Sequence, residues 1–410
     1  MKALTPTLAR FKARERERTG SPKFFLYNRA MLLVLNAGSS SLKFALYDLP
    51  IGERPQIEGQ IAGIGRNPRF IVGGRNLPVS TTLAGHDAAI AHLLDWLEGE
   101  GDVKHLAGAG HRVVHGGARF TSPIRLDAAA LDALEELGPL APHHQPHNVA
   151  AIRVLTARKP ALPQVACFDT AFHATQPEAA RRLPLPAAFD ARGVRRYGFH
   201  GLSYEAIVGR LPQIAGGLPR RLVVAHLGNG ASMCAIEDGR SIATTMGFST
   251  LDGLIMATRS GSLDPGVLLH LLREGMKLAE LEDLLYNRAG LLALSGFSAE
   301  MKVLLDSPDP AAAMAVDLYC YRISRELGSL AAALGGLDAL VFTGGIGEHA
   351  APIRARVCRA AGWLGITLDE AANKTGGPRL SGPESHTAAW VVPTDEQGVI
   401  ARHTAGLLGL

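Results

Sequence analysis

Three apolar segments of the chain each run into a turn of small residues. Residues 32–48 (LLVLNAGSSSLKFALYD) read as a buried strand, a turn over residues 36–41 and a second strand. Residues 221–245 repeat this pattern and add a hairpin at residues 238–239 and a third strand. Residues 337–357 contain another buried strand, which passes through a glycine-rich turn into a helix. The recurrence predicts an internally duplicated α/β chain.

Helical periodicity fills the stretches between these turns. Apolar residues three and four positions apart predict helices over residues 127–137, 148–156, 265–274 and 310–334. Asp264 is typical of a helix N-cap and is followed by a proline at the first helical position. Residues 170–195, rich in proline and arginine, are the best candidate for a crossover between the two halves.

The composition adds two restrictions. The 410 residues include 46 glycines and only 6% aromatic residues, which suits two α/β domains with many strand-to-helix turns. No apolar run reaches the roughly 18 residues that cross a bilayer, so we predict no transmembrane segment. The four cysteines are far apart and form no C-x-x-C pair, which disfavours a zinc ribbon and favours reduced thiols in the cytoplasm.

The formal net charge of +4 hides an uneven distribution. Residues 1–30 contain eight Lys or Arg and two Glu, a net charge of +6, which leaves −2 for the rest of the chain. The main body therefore lacks the charge of a nucleic-acid-binding domain. Met31 directly precedes the first strand, so we interpret residues 1–30 as a basic, disordered extension or a mis-assigned start and exclude them from the fold.

The turn over residues 36–43 has the composition of a phosphate site. Backbone amides of small residues can converge on phosphate oxygens, serine hydroxyls add donors, and Lys43 adds positive charge. A purely structural hairpin is the equal alternative for this turn alone. Similar turns at residues 228–232 and 344–347 favour a nucleotide held in a cleft between the halves.

Two further motifs carry charge beside predicted strands. In residues 110–120 (GHRVVHGGARF), Arg112 and Val114 share one face of a strand, where they suit a small carboxylate with an apolar chain. A surface ion pair is the alternative for this arginine. Asp169 ends an apolar run, a frequent position of catalytic carboxylates in α/β sheets; a helix cap formed by Asp169 or Thr170 is the alternative.

The remaining candidates lie in loops. His200 follows a glycine in residues 195–205, and on its own a loop histidine is more often structural. Arg259 precedes a Ser-Gly pair, and two arginines facing one cleft suit the transfer of a phosphoryl group. Three histidines in residues 142–148 suggest a metal site, but their proline-broken spacing disfavours it.

Eight of these segments occur together in the order and approximate spacing of one family. LNAGSSSLKF, HRVVHGG, FDTAFH, YGFHG, HLGNGAS, TRSG…DPG, TGGIGE and PTDE make the chain, from Met31 to its C-terminus, resemble the acetate kinases. These are carboxylate kinases of the superfamily that includes sugar kinases, actin and chaperone ATPases. Each segment alone is weakly specific, whereas eight in register are very specific.

The resemblance implies a fold and a reaction. The fold would be α/β, with two duplicated actin-like (ribonuclease H-like) domains whose mixed central sheets are flanked by helices, and a nucleotide cleft between them. Residues 31–170 plus 398–410 would form one domain and residues 171–397 the other. The reaction would be reversible, in-line phosphoryl transfer from ATP to acetate with Mg²⁺, or Mn²⁺, in a cytoplasmic homodimer that binds neither nucleic acid nor membrane.

The resemblance also implies roles for individual residues. The catalytic set would be Arg112, Asp169, His200 and Arg259. Asn36 and Glu396 would support the metal ion and its waters. The nucleotide would be bound by Ser39, Ser41, Lys43, His226, Leu227, Gly228, Asn229, Gly230, Glu300, Met301, Lys302, Gly344, Gly345, Ile346 and Gly347. The substrate pocket would be lined by Val114, His143, Phe199 and Thr250.

The chain departs from the family pattern at several of these positions. His143 replaces a leucine and Thr250 a proline, which makes the expected pocket more polar and favours a larger or more polar acid. Lys302 replaces an arginine beside the adenine, and a lysine cannot stack as a planar fork. In the motif HGLSY, Tyr204 replaces a second histidine. The alternatives are a kinase of propionate or another short-chain acid, a pyrophosphate-linked kinase, and a non-enzymatic actin-like or chaperone-like nucleotide switch.

Overall fold

The computed structural model describes residues 30–38, 40–79, 83–99 and 105–410. Residues 1–29, to which the interpretation of a basic extension applies, lie outside these ranges, as does Ser39. The strands of the described residues are β1 (Met31–Ala37), β2 (Ser41–Asp48), β3 (Ile57–Ala62), β4 (Arg69–Val72), β5 (Arg75–Leu77), β6 (Leu106–Val113), β7 (Ile124–Arg125), β8 (Gln164–Phe168), β9 (Arg221–Leu227), β10 (Ala231–Glu237), β11 (Arg240–Thr244), β12 (Ala339–Thr343) and β13 (Ala388–Val391).

Helices surround these strands. The α-helices of the described residues are α1 (His86–Gly99), α2 (Ala128–Glu136), α3 (Gln145–Arg158), α4 (Glu178–Arg181), α5 (Ala187–Asp190), α6 (Gly201–Ala215), α7 (Pro265–Arg273), α8 (Leu278–Asn287), α9 (Gly290–Ser295), α10 (Met301–Asp306), α11 (Pro310–Ala333), α12 (Gly344–His349), α13 (Ala351–Ala360), α14 (Glu370–Thr375) and α15 (Glu396–Leu408). Short 3₁₀ helices occupy Gly138–Leu140, Ala171–Thr175 and Gly362–Leu364. No helix in the described ranges is long and apolar enough to cross a membrane.

The strands form two sheets that repeat one topology. The first has the order β5-β4-β3-β2-β1-β6-β8-β7 and the second the order β11-β10-β9-β12-β13. In both, the first strand pairs antiparallel with the next strand in the chain and parallel with a later one on its other side. Strands β3-β2-β1-β6-β8 therefore correspond to β11-β10-β9-β12-β13. This equivalence confirms the predicted internal duplication and the predicted class of two mixed sheets flanked by helices.

Capping residues in the sequence account for the starts of several predicted helices. Asp127 caps α2 by accepting a hydrogen bond from the Ala130 amide at 2.7 Å, and Asp264 caps α7 by accepting one from the Gly266 amide at 2.7 Å. The predicted helix over residues 148–156 is longer in the structure and begins at Gln145. Pro146 lies in its first turn, where a missing amide leaves no intrahelical bond unmade.

The chain passes from one sheet to the other between β8 and β9. This connection contains the 3₁₀ helix Ala171–Thr175, then α4, α5 and α6, and the predicted crossover over residues 170–195 is its first half. The last helix, α15, returns to the first sheet, where it packs against β1, β6 and β8. All four cysteines are buried and unpaired. The return of α15 brings the PTDE segment back to the point where the two sheets meet.

Candidate active site

A cavity of about 810 Å³ is lined by residues of both halves. Both glycine-rich turns of the second half, the turn after β1 and the ends of β6 and β8 contribute to its wall. Of the residues predicted from the sequence, it is lined by Asn36, Ser41, Lys43, Arg112, Val114, Asp169, Phe199, His200, His226, Gly228, Asn229, Gly230, Thr250, Arg259, Gly344, Gly345, Ile346 and Glu396. The fold thus brings residues more than 350 positions apart in the chain into one site.

Arg112 and Asp169 form a bidentate ion pair at the ends of adjacent parallel strands. Arg112 Nε donates to Asp169 Oδ1 at 2.9 Å and Nη2 donates to Oδ2 at 2.5 Å. The Asp169 side chain is 1% exposed and that of Arg112 19%. Burial alone would lower the pKa of Arg112, but the charges of Asp169 and Glu396 raise it on balance. Burial raises the pKa of Asp169, whereas the charge of Arg112 acts in the opposite direction. The two parallel hydrogen bonds have the geometry of a guanidinium–carboxylate pair, and neither the surface ion pair nor the helix cap describes it.

Arg112 also reaches Asn36 on β1. Its Nη1 donates to Asn36 Oδ1 at 3.2 Å, so one guanidinium connects the first phosphate-type turn to the end of β8. Asn148 of α3 supports the same region, because its amide nitrogen donates to the Ala37 carbonyl at 2.7 Å and its oxygen accepts from the Val114 amide at 2.9 Å. The turn and the end of β6 are consequently held at a fixed separation.

Arg259 is the second guanidinium of the cavity and has a different environment. Its Nη1 donates to the Thr250 carbonyl at 3.0 Å, and within the described part of the chain it has no ion-pair partner. Burial lowers its pKa, and the charge of Arg112 acts in the same direction. A partly buried guanidinium without a counter-ion favours an anionic ligand, because the ligand would replace both the lost water and the missing negative charge.

His200 lies between the two arginines and the second-half turns. Its backbone is left-handed (φ 60°, ψ 23°) at the start of α6, and its ring stacks on that of His226 at 4.3 Å. Burial lowers the pKa of His200 well below its usual value, and His226, Arg112 and Arg259 add to this effect. His200 is therefore a neutral imidazole that can donate one hydrogen bond.

The turn between β9 and β10 approaches these side chains closely, which favours a glycine at residue 230. A Cβ on Gly230 would lie 3.2 Å from both Arg259 Nη2 and His200 Nε2. The start of α12, where the sequence predicted a glycine-rich turn, requires glycine: Gly344 has φ +78°, and a Cβ there would lie 2.8 Å from the Leu227 carbonyl oxygen. The two turns are adjacent, since a Cβ on Gly228 would lie 3.9 Å from the Gly345 nitrogen.

Glu348 links the second of these turns to the PTDE segment. Its Oε1 accepts hydrogen bonds from the Gly344 amide at 3.0 Å and from the Thr394 amide at 3.3 Å. Thr394 in turn donates to Ser203 Oγ at 2.9 Å, and Ser203 lies 2.8 Å from His226 Nδ1. One carboxylate therefore connects the start of α12 to the PTDE segment, and residues of both line the cavity.

One wall of the cavity is largely apolar. Val114 is 2% exposed and Phe199 1%, and the wall continues through His144 and Thr250. Burial, followed by the charges of Arg259 and Arg112, lowers the pKa of His144 to about 3. This imidazole is therefore neutral and adds polar but uncharged surface beside the arginines.

Some predicted residues lie away from the cavity. Ser39 is outside the described residues. His143 is not on the cavity wall: its ring packs against Tyr286 at 4.2 Å, and His144, the next residue, takes the place on the wall. Three further predicted residues are buried in the second half: Leu227, Met301 and Gly347. Glu300 and Lys302 are exposed near the start of α10. The cavity wall therefore includes none of residues 300–302.

Several cavity residues were not found from the sequence. Glu58, His144, Glu348, Thr394, Asp395 and Gln397 all line the wall. Glu348 had a local signal, because it lies four residues after Gly344, within reach of the first amides of a helix. Glu58 had no local sequence signal, because only the pairing of β3 with β2 brings this residue to the cavity wall.

Comparisons with known proteins identify sequences and structures similar to this chain. The model of the Acetokinase family matches residues 31–402. An acetate kinase of Rhodopseudomonas palustris is 55% identical over 389 residues, which cover 91% of this chain and 97% of that protein. An acetate kinase of Rhizobium meliloti is 48% identical over 390 residues, which cover 92% of this chain and 98% of that protein.

Solved structures agree with this similarity. The crystal structure of an acetate kinase from Porphyromonas gingivalis has a TM-score of 0.85 and 35% identity, covering 92% of this chain and 100% of that chain. A propionate kinase from Francisella tularensis has a TM-score of 0.88 and 33% identity, with the same coverage of 92% and 100%. These similarities confirm the resemblance found in the sequence and the actin-like fold class.

Proposed function

Because the chain belongs to the acetokinase family, we propose that it is an acetate kinase. It transfers the terminal phosphoryl group of ATP reversibly to the carboxylate of acetate, giving acetyl phosphate and ADP. The observation that carries this proposal is the pair of partly buried arginines on one cavity: Arg112 is neutralised by Asp169, whereas Arg259 has no counter-ion among the described residues. An arriving carboxylate or phosphoryl group supplies the missing negative charge.

The site suits a reaction that needs alignment and neutralisation of charge more than proton transfer. A carboxylate is already a nucleophile near neutral pH, so no general base is required. The arginines and the neutral His200 can surround the equatorial oxygens of the migrating phosphoryl group, whose negative charge must be stabilised through the transition state. Val114 and Phe199 exclude water from the acid's methyl group.

The nucleotide would lie along the glycine-rich turns. Ser41 and Lys43 of the first half and Gly228, Asn229 and Gly345 of the second line the same cavity. Their amides and side-chain donors suit a chain of phosphates. Ile346 offers an apolar surface for the ribose or the base.

The residues present also suit a magnesium ion. Asn36 and Glu396 face the cavity with oxygen donors, the ligands that Mg²⁺ prefers. No group of three or more His, Cys, Asp or Glu within the described ranges forms a ready metal site. A nucleotide-bound Mg²⁺ usually takes only one or two protein carboxylates and keeps several waters, which agrees with this set. When bound, the ion supplies positive charge to the phosphate oxygens.

Three larger-scale features belong to the proposal. The domains would be residues 31–170 plus 398–410 and residues 171–397, which agrees with the packing of α15 against β1, β6 and β8. A homodimer is supported by α7, which has no buried residue and exposes the apolar side chains of Val267, Leu269 and Leu272.

The four cysteines are unpaired, which agrees with a cytoplasmic location.

The preferred acid is tested by a direct assay. The purified chain is incubated with Mg-ATP and acetate, propionate, butyrate or glycolate, and the acyl phosphate is trapped as its hydroxamate. The proposal expects acid-dependent product with acetate as the best acid. A higher kcat/KM for propionate or glycolate would favour the alternative acids, for which Thr250 and His144 on the wall provide an argument. ATP hydrolysis that does not depend on any acid would favour a nucleotide switch, and product with pyrophosphate alone would identify a different donor.

A further inference from the structure

The two ring nitrogens of His200 face different surroundings. Nδ1 lies 2.8 Å from Ser232 Oγ on β10. Nε2 has no hydrogen-bond partner among the described residues and lies on the side of Gly230 and Arg259, where a Cβ on Gly230 would come within 3.2 Å of it. On the proposed function, on which this inference rests, Nε2 is the nitrogen that meets a phosphoryl oxygen.

A neutral imidazole exists as two tautomers, and only one suits this position. The ring is surrounded by His226, which stacks on it, by Arg112 and Arg259, and by His173. None of these groups is an acid that would favour the imidazolium, and the Asp169 carboxylate, which is also close, accepts a hydrogen bond from the backbone amide of His200. If Nε2 carries the proton, His200 donates to an anionic oxygen; if Nδ1 carries it, the lone pair of Nε2 faces that oxygen and repels it.

Tyr204 completes a chain of hydroxyl groups behind His200. Its hydroxyl contacts Ser232 Oγ, and both residues are 0% exposed. The phenol is the more acidic hydroxyl and therefore the better donor, which leaves the Ser232 proton for Nδ1 of His200. Tyr204 also lies within reach of Thr244, whose own hydroxyl donates to the Met233 carbonyl at 2.9 Å. If Tyr204 donated to Thr244 instead, its oxygen could accept the proton of Ser232, and His200 would then carry its proton on Nδ1. The direction of these hydrogen bonds is therefore what the experiment has to determine.

We propose that Tyr204 and Ser232 are positioning residues that hold His200 in the Nε2–H tautomer. Tyr204 donates to Ser232, Ser232 donates to Nδ1, and Nε2–H is directed into the cavity as a fixed donor. Neither hydroxyl touches the substrates, so both act through His200. The family motif has a histidine at the position of Tyr204, so this chain reaches the arrangement with its own residue.

The tautomer is measured directly on the full chain without substrate. Nitrogen-15 labelling of the histidines, with His200 assigned by comparison with His200→Gln, reports which ring nitrogen carries the proton. We expect the Nε2–H tautomer in the wild type between pH 6 and 8, and a larger fraction of Nδ1–H in Ser232→Ala. A wild-type ring that is protonated on Nδ1, or on both nitrogens, overturns the proposal. The measurement needs no turnover, so it remains readable even if the chain phosphorylates no acid.

Kinetics separate positioning from packing. Removal of one neutral hydrogen bond predicts a fall in kcat of about three- to tenfold for Tyr204→Phe, with the KM for ATP changed less than about twofold. Tyr319→Phe is the matched control, because Tyr319 is a fully buried tyrosine whose hydroxyl has no partner among the described residues. In a Ser232→Ala background, Tyr204→Phe should have almost no further effect. The same loss in both backgrounds would show that Tyr204 acts independently of Ser232 and would overturn the chain of hydroxyls.

Discussion

The guanidinium of Arg112 meets the carboxylate of Asp169 through two parallel hydrogen bonds, at the ends of neighbouring parallel strands. The pair fixes one positive group on the cavity wall and balances its charge. Arg259, which reaches the same cavity from a loop of the second half, has no such balance within the described residues. The two arginines therefore differ in what their removal should do.

Removal of Arg112 should destabilise the fold. Arg112→Ala leaves a carboxylate that is 1% exposed without its partner, and breaking a buried pair in this way costs about 3 kcal/mol of unfolding free energy. Arg153→Ala is the control, because Arg153 pairs with Glu135 and Asp132 at the exposed surface, where the loss of an ion pair should cost much less unfolding free energy. Urea denaturation of both variants tests this prediction. Equal losses in the two variants would contradict the buried character of the Arg112 pair.

Removal of Glu348 should weaken nucleotide binding. Glu348→Ala frees the amides of Gly344 and Thr394, so the glycine-rich turn at the start of α12 loses the group that holds it. Hydrogen bonds to a charged group contribute about 1.5–3 kcal/mol, so the KM for ATP should rise about tenfold or more while the KM for the acid changes little. Glu274→Ala, at an exposed position of the second half, serves as the control. An unchanged KM for ATP in Glu348→Ala would remove this turn from the nucleotide site.

Stability should fall as the pH falls from about 6.5 to 4. Burial lowers the pKa of His111 to about 4 in the folded chain, against about 6.5 when unfolded. The unfolded state therefore binds the proton first, and the stability that neutral His111 contributes above pH 6.5 is lost progressively below it. Burial lowers the pKa of His115 and His173 to about 4 as well, so they act in the same direction.

His111→Gln isolates one of these groups. Glutamine can still pair with Gln164, which His111 contacts at 2.8 Å, but it does not titrate. The unfolding free energy of the variant minus that of the wild type should therefore increase by about 2 kcal/mol as the pH falls from 8 to 5. The comparison at pH 8 is the internal control, because His111 is neutral there in both states. A constant difference between variant and wild type across this range would show that His111 is not the titrating group.

The sequence predicted features that depend on neighbouring residues. The strand, turn and strand patterns before residues 48 and 245 gave both central hairpins, and capping residues such as Asp264 marked the start of α7. These features are local because hydrophobic period and capping act within a few residues.

The predicted residues that lie off the cavity wall, and the wall residues that the sequence did not indicate, depend on long-range packing. The sequence suggested His143 for the pocket, but the start of α3 presents His144 to the cavity and turns His143 towards Tyr286. Residues 300–302 match a family motif, yet α10 buries Met301 in the core and leaves Lys302 exposed. Glu58 of β3 and the PTDE segment both line the cavity. No periodic pattern in the sequence could have indicated this, because their common position requires both sheets to be assembled.

The turnover of Arg259→Ala is the most direct test of the account. Arg259 has no carboxylate partner among the described residues, so its removal leaves no unpaired acid, and urea denaturation should show a nearly unchanged fold. Loss of a preorganised donor to the migrating phosphoryl group should lower kcat for acetyl phosphate formation about 10²- to 10³-fold, with Arg259→Lys recovering only part of the loss. A folded Arg259→Ala variant that retains near-normal kcat would contradict the claim that the uncompensated guanidinium stabilises the transferring group.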